Sequence, residues 1–165
     1  MTLTLRLLVA LGLTWAIGFE RELRGASAGD RTFSLIGVGS AVVGYLALNG
    51  APNALAGVVT GIGFIGAGVI MHGNRTDRDD DDSSAATVVN HAPMPTIRGV
   101  TTAATIYTAA AVGAAAGQGE LLLAAEATVA CLLLLEVRHV GWMRFVDGRY
   151  WRDRLKITND DPGEA

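Results

Sequence analysis

The sequence has a single cysteine, Cys131, a single lysine, Lys156, and three histidines among 165 residues. One cysteine excludes an intramolecular disulfide, and with scattered histidines it excludes a Cys/His metal cage. Charge is also scarce: Asp, Glu, Lys and Arg make up 18% of the chain, with a net charge of -3. The charges are clustered between long apolar runs, half of the residues are hydrophobic and 21 are glycine, a composition that a soluble domain of this length rarely has. No Ser/His/Asp set and no paired acids stand where an active site would need them. The expectation is therefore a non-enzymatic chain with no catalytic residues, no cofactor and no metal site.

What is present is apolar sequence in five blocks: residues 3–19, 33–48, 54–71, 100–117 and 121–137. Each approaches the roughly 17 to 25 residues that a helix needs to cross the hydrocarbon core. At about 1.5 Å per residue they reach roughly 24 to 27 Å, slightly short of an average core. The predicted fold is all-α, a polytopic transmembrane helix bundle of about five spans in one domain, residues 1–137, followed by a tail, residues 138–165. Ala26-Ser27-Ala28 resembles a signal-peptide cleavage site, but Glu20-Arg21-Glu22-Leu23-Arg24 intervenes and only Arg6 lies upstream as a basic residue. The first run is therefore expected to remain as a span.

Twelve of the thirteen basic residues lie in segments 20–32 and 72–99 and in the tail after Val137, whereas the turns 49–53 and 118–119 carry none. Lys and Arg near helix ends resist translocation, so the N-terminus is expected outside and the C-terminus in the cytoplasm, in the inner (cytoplasmic) membrane. Segment 74–95 contains Asp79, Asp80, Asp81 and Asp82 and two prolines, and reads as a flexible cytoplasmic loop. Loose binding of a divalent cation by its carboxylates is the alternative. The tail alternates arginine with Trp142, Phe145, Tyr150 and Trp151, an amphipathic basic-aromatic pattern expected to meet membrane lipid; docking to another protein is the alternative.

Gly61-Ile62-Gly63-Phe64-Ile65-Gly66 matches the dinucleotide pattern G-x-G-x-x-G, but it lies inside an apolar run, with no strand before it and no ribose-binding acid about twenty residues later. A nucleotide site is excluded, and no nucleic-acid partner is expected. In lipid, glycine lets helix backbones approach, so the surface bearing Gly57, Gly61 and Gly68 is expected to face another helix. Thr101, Thr102, Thr105 and Thr108, with Gly113-x-x-x-Gly117, suggest either the same packing or the lining of a polar path. Glu126 is an acid within the fifth run, expected to turn toward the bundle interior as a structural hydrogen bond or a functional group. Glu20 and Arg24 are spaced for an i, i+4 ion pair, and with Arg21, Glu22, Asp30 and Arg31 they form a mixed-charge rim, either a satisfied ion-pair network or a mouth for a cation or a partner.

Three blocks resemble the MgtC/SapB family of bacterial and archaeal inner-membrane proteins. They are Gly18-Phe19-Glu20-Arg21-Glu22 with Arg24-Gly25 and Ala28-Gly29-Asp30-Arg31-Thr32; Gly61 to Ile70 with Gly63, Gly66 and Gly68; and Arg98-Gly99-Val100-Thr101-Thr102 running to Gly113. The resemblance implies a role in magnesium homeostasis or adaptation to low magnesium or acid stress. It marks Glu20, Arg21, Glu22, Arg24, Gly25, Asp30, Arg31, Thr32, Gly61, Gly63, Gly66, Gly68, Gly99, Thr101 and Thr102 as functional candidates. Besides membrane lipids, it implies a membrane protein complex such as the F-type ATP synthase as partner, with homo-oligomerisation open. The better-known members continue into an ACT-like domain, whereas about 28 residues follow Val137 here, so the chain is expected to be a short form; segment 74–95 looks inserted. A small cation or solute transporter is the rival reading.

Overall fold

The computed structural model describes residues 2–79 and 98–136, without the side chains of residues 72–79. Regular structure among them is entirely helical: α1 (Leu3–Leu23), α2 (Asp30–Leu48), α3 (Ala54–Asp79), α4 (Val100–Gln118) and α5 (Leu121–Glu136). The chain divides into two units, Met1–Cys131 and Leu132–Ala165, and the second is described only as far as Glu136. Helices α1, α2 and α4 and the Ala54–Met71 part of α3 are each long and apolar enough to cross a membrane; α5 has 16 described residues. Exposed large side chains, among them Leu8, Trp15, Leu35, Phe64 and Leu122, give the bundle an apolar outer surface suited to lipid. The chain is a helical membrane protein.

Three boundaries differ from the expected runs. Helix α1 continues four residues past Phe19 and α2 begins three residues before Phe33, because backbone hydrogen bonds carry a helix through charged residues that hydropathy alone would exclude. Helix α3 runs on through Asp79, so the first six residues of the segment read as a loop from residue 74 are helical; no proline lies between Pro52, ahead of the helix, and Pro93. The rest of that segment, including Asp80, Asp81 and Asp82, and the basic-aromatic tail lie outside the described residues.

Helix α4 is the centre of the bundle. It packs most closely on α2 and also meets α1 and α3, and half of its span is buried. Glycine makes the α2–α4 approach possible: a Cβ placed on Gly113 would land on the Gly37 carbonyl, one on Gly117 on the Ala41 carbonyl, and one on Gly44 on the Ala114 carbonyl. Backbones this close gain dispersion and Cα–H···O contacts, which drive helix association where lipid removes the hydrophobic term. On α2, Gly44 joins the Gly113 and Gly117 pair that the sequence had signalled in this crossing, whereas Gly37 makes room for Thr14 of α1, on whose side chain an added Cβ would land. Ala10, Ala41, Val112, Ala116 and Ala124 complete a core of small side chains drawn from α1, α2, α4 and α5.

Three of the buried hydroxyls are satisfied within their own helices. Thr14 donates to Ala10 O at 2.7 Å, Thr105 to Thr101 O at 2.8 Å and Thr128 to Ala124 O at 2.8 Å. Each threonine thus spends its proton on its own helix, which lets it sit in an apolar interior without a partner across the interface.

Candidate functional site

The α1–α2 corner gathers the first family block. Helix α1 ends in a Schellman arrangement: Ala26 N–H donates to Arg21 O at 3.0 Å and Gly25 N–H to Glu22 O at 3.0 Å, with Gly25 at φ 63°. That left-handed position favours glycine and turns the chain sharply toward α2. The two helices then meet closely, since a Cβ on Gly18 would lie 2.7 Å from Asp30 Cα and 2.9 Å from Phe33 Cβ. Phe33 is fully buried against this joint. Asp30 opens α2, its Oδ1 accepting the Arg31 N–H at 2.6 Å, where an acid complements the positive helix end.

Within the corner Glu20 is the buried charge, 8% exposed. Its carboxylate accepts from Arg21 at 3.4 Å and from Arg24 Nε at 3.3 Å, the second being the expected i, i+4 pair. Arg21 Nε is buried with no hydrogen-bond partner among the described residues. Glu22 leaves this network and lies over the Gly29 backbone, at a place where any Cβ on Gly29 would collide with its carboxylate. Glu22, Gly29, Asp30, Arg31 and Thr32 line an open polar cleft of about 470 Å³. The rim therefore has two parts: a buried ion-pair network around Glu20 and an open cleft carrying both signs of charge. No group of three or more His, Cys, Asp or Glu side chains able to hold a metal occurs among the described residues. Two carboxylates, Glu22 and Asp30, can meet a hydrated divalent cation or a basic group on a partner.

The second and third blocks do not join this corner in one site. Gly66 packs on Ala103, 3.4 Å from an added Cβ, and Gly99, at φ 83°, fits against Val69 and Ile70 where α4 begins. Thr102 is buried and Thr101 exposed. Gly61, Gly63 and Gly68, like Gly57, face open space, so the surface expected to press on another helix meets none among the described residues. Glu126 is likewise exposed rather than turned inward. The buried face of α5 is taken by Ala124, Thr128 and Cys131, and the 3.6-residue period then carries Glu126 outward.

Two features escaped the sequence reading. Cys131 is buried in α5 within electrostatic reach of Glu20 and Arg21, so the first and last helices approach near this corner; nothing in the spacing of a lone cysteine signals that. At the other end of the bundle Arg6 donates to Gly117 O at 2.9 Å and lies against Gly119 in the α4–α5 turn. A cation over the last carbonyls of α4 is favoured by the helix dipole. The one basic residue outside the three basic segments thus caps a helix end, and its position inside an apolar run was the available signal.

The model of the MgtC family matches residues 7–141, most of the chain. The chain belongs to the MgtC family. Among curated MgtC-family relatives, YhiD of Escherichia coli strain K12 is 36% identical over 93% of this chain and 67% of its own length. Protein SrpB of Synechococcus elongatus is 32% identical over 86% of this chain and 80% of its own. Protein MgtC of Salmonella typhimurium is 34% identical over 78% of this chain, which spans 48% of that relative. No solved structure matches. The match encloses all three blocks, so the α1–α2 corner, the Gly66–Ala103 contact and the Gly99 turn belong to the shared region.

Proposed function

We propose that this MgtC-family chain is a non-enzymatic regulator or accessory protein in magnesium or cation homeostasis, seated in the inner membrane with its α1–α2 corner on the cytoplasmic side. The observation that carries the reading is that corner: it joins a buried Glu20 network to an open cleft of both charge signs at the arginine-rich end of the bundle. Its orientation rests on the positive-inside distribution of arginine. Magnesium enters through the relatives, since YhiD is provisionally named a magnesium transporter. A mixed-charge cleft on a rigid scaffold suits docking to a charged loop of another membrane complex, such as the ATP synthase that the family resemblance suggests.

The test is genetic and biochemical together. Deletion of the gene should impair growth at low magnesium or acid pH, and wild-type protein should restore it while Glu22→Ala and Asp30→Ala variants, present at equal levels, should not. Mild solubilisation should recover a stoichiometric partner with the wild type and lose it with those variants. The name borne by YhiD favours a second reading, a small transporter. Magnesium flux into liposomes containing the purified protein alone would establish it and displace the regulatory role.

A further inference from the structure

Glu126 lies five residues into α5, at the centre of the face turned away from the bundle. Leu122, Leu123, Val129 and Ala130 surround it, all exposed, and no hydrogen bond or ion pair of Glu126 is present among the described residues. An acid surrounded only by apolar side chains on a lipid-facing surface is costly, and such residues almost always face protein or water. The buried face of α5, with Ala124, Thr128 and Cys131, lies on the opposite side of the helix, so no described residue of the chain covers Glu126.

The same chain carries a surface that fits it. Helix α3 buries Ile62 and Gly66, and its opposite face presents Gly57, Gly61 and Gly68, above which a Cβ would meet nothing within 4 Å. Thr60 is exposed beside these glycines, its hydroxyl donating to Ala56 O at 3.0 Å and keeping lone pairs free to accept. Helices α3 and α5 each follow a turn at the same end of the bundle and run in the same direction, so depth is counted from their first residues. Thr60 lies about 9 Å below Ala54, and Glu126 about 7.5 Å below Leu121. Phe64, 84% exposed on the glycine face, stands about 15 Å down, level with small Ala130 at about 13.5 Å.

We infer that α5 of one copy packs on α3 of a second copy, with the Glu126 carboxyl hydrogen-bonded to the Thr60 hydroxyl and Phe64 seated over Ala130. Copies share one orientation in the membrane, so the two helices run parallel and the depth match holds. The two faces belong to different surfaces of each copy. The contact is therefore heterologous and builds a ring or a chain of copies rather than a two-fold dimer. It does not depend on the proposed regulatory role.

Disulfide trapping in native membranes tests the contact and leaves Glu126 and Thr60 in place. Two differently tagged copies, one Gly57→Cys and the other Leu123→Cys, both with Cys131→Ala, are co-expressed and oxidised. The expected result is a linked species carrying both tags and no linked species from either variant alone, because the sulfurs join only when the helices are in contact. Adding Gly61→Leu to the first copy, where the single chain has open space, or Glu126→Leu to the second should abolish the link; Glu126→Gln should keep it. No mixed species from helical, membrane-inserted protein would overturn the inference. So would self-linking of the Leu123→Cys copy, which would place α5 against α5, or a Glu126→Leu copy that links as well as the parent.

Discussion

Helices α3 and α4 are alike in composition and opposite in circumstance. Both are apolar and rich in small residues, yet 50% of the α4 span is buried and 11% of the α3 span. In α4, Gly113 and Gly117 lie on the backbone of α2; in α3, a Cβ added at Gly57, Gly61, Gly63 or Gly68 would meet no described atom within 4 Å. A small-residue face thus marks a helix that can be approached closely without saying by what. In α4 the partner is an adjacent helix, and in α3 no described residue supplies one.

The largest effect that would test this contrast is Gly113→Leu. Its side chain would displace the Gly37 carbonyl, and overpacking of a close backbone crossing costs at least about 1–3 kcal/mol. The variant should lose its cooperative melt in detergent, followed through labelling of buried Cys131 by a thiol-reactive dye, while Gly61→Leu should melt as the wild type does. Equal losses in both would erase the distinction between the two helices.

Glu20→Ala comes next, because it removes the carboxylate that faces the largely buried guanidinium of Arg21. Leaving such donors unpaired costs about 1–3 kcal/mol, which should lower Tm and hasten Cys131 labelling. Retention of the wild-type labelling rate would show that the α1 end does not protect the thiol. Arg6→Ala removes the cap on Gly117 at the opposite end, a loss of about 1 kcal/mol. Its Tm should fall by less than that of Glu20→Ala, and a larger fall would move the critical joint to the Arg6 end of the bundle.

The smallest effect is expected from Gly57→Ala. In open space the methyl meets nothing and helix propensity improves by up to about 1 kcal/mol. The Tm of the detergent-separated single chain should stay level or rise slightly, and a clear fall would mean that α3 is covered within the chain after all.

The sequence was most legible where one residue type has one physical use. The apolar runs announced the helices, and the Glu20–Arg24 spacing announced an ion pair that forms as read. The α1–α2 corner could be assembled from its motif because its parts are close in the chain. Glu126 was misplaced, and the partner of the α3 glycine face could not be named, for one common reason: a helical period tells which residues share a face, but not which face the neighbouring helices occupy.

By itself, then, the sequence determined that the chain is a helical membrane protein, where its helices run and where its charges gather. Lipid imposes those features locally, through hydrogen-bonded backbone and apolar length. Only the tertiary structure decided that α4 is central and α3 peripheral, that Arg6 caps α4, that Cys131 lies near Glu20, and that Glu126 faces outward. Those outcomes depend on how the helices are rotated about their axes. That rotation is set by close contacts between residues far apart in the chain, such as Gly37 with Gly113, and not by any local preference.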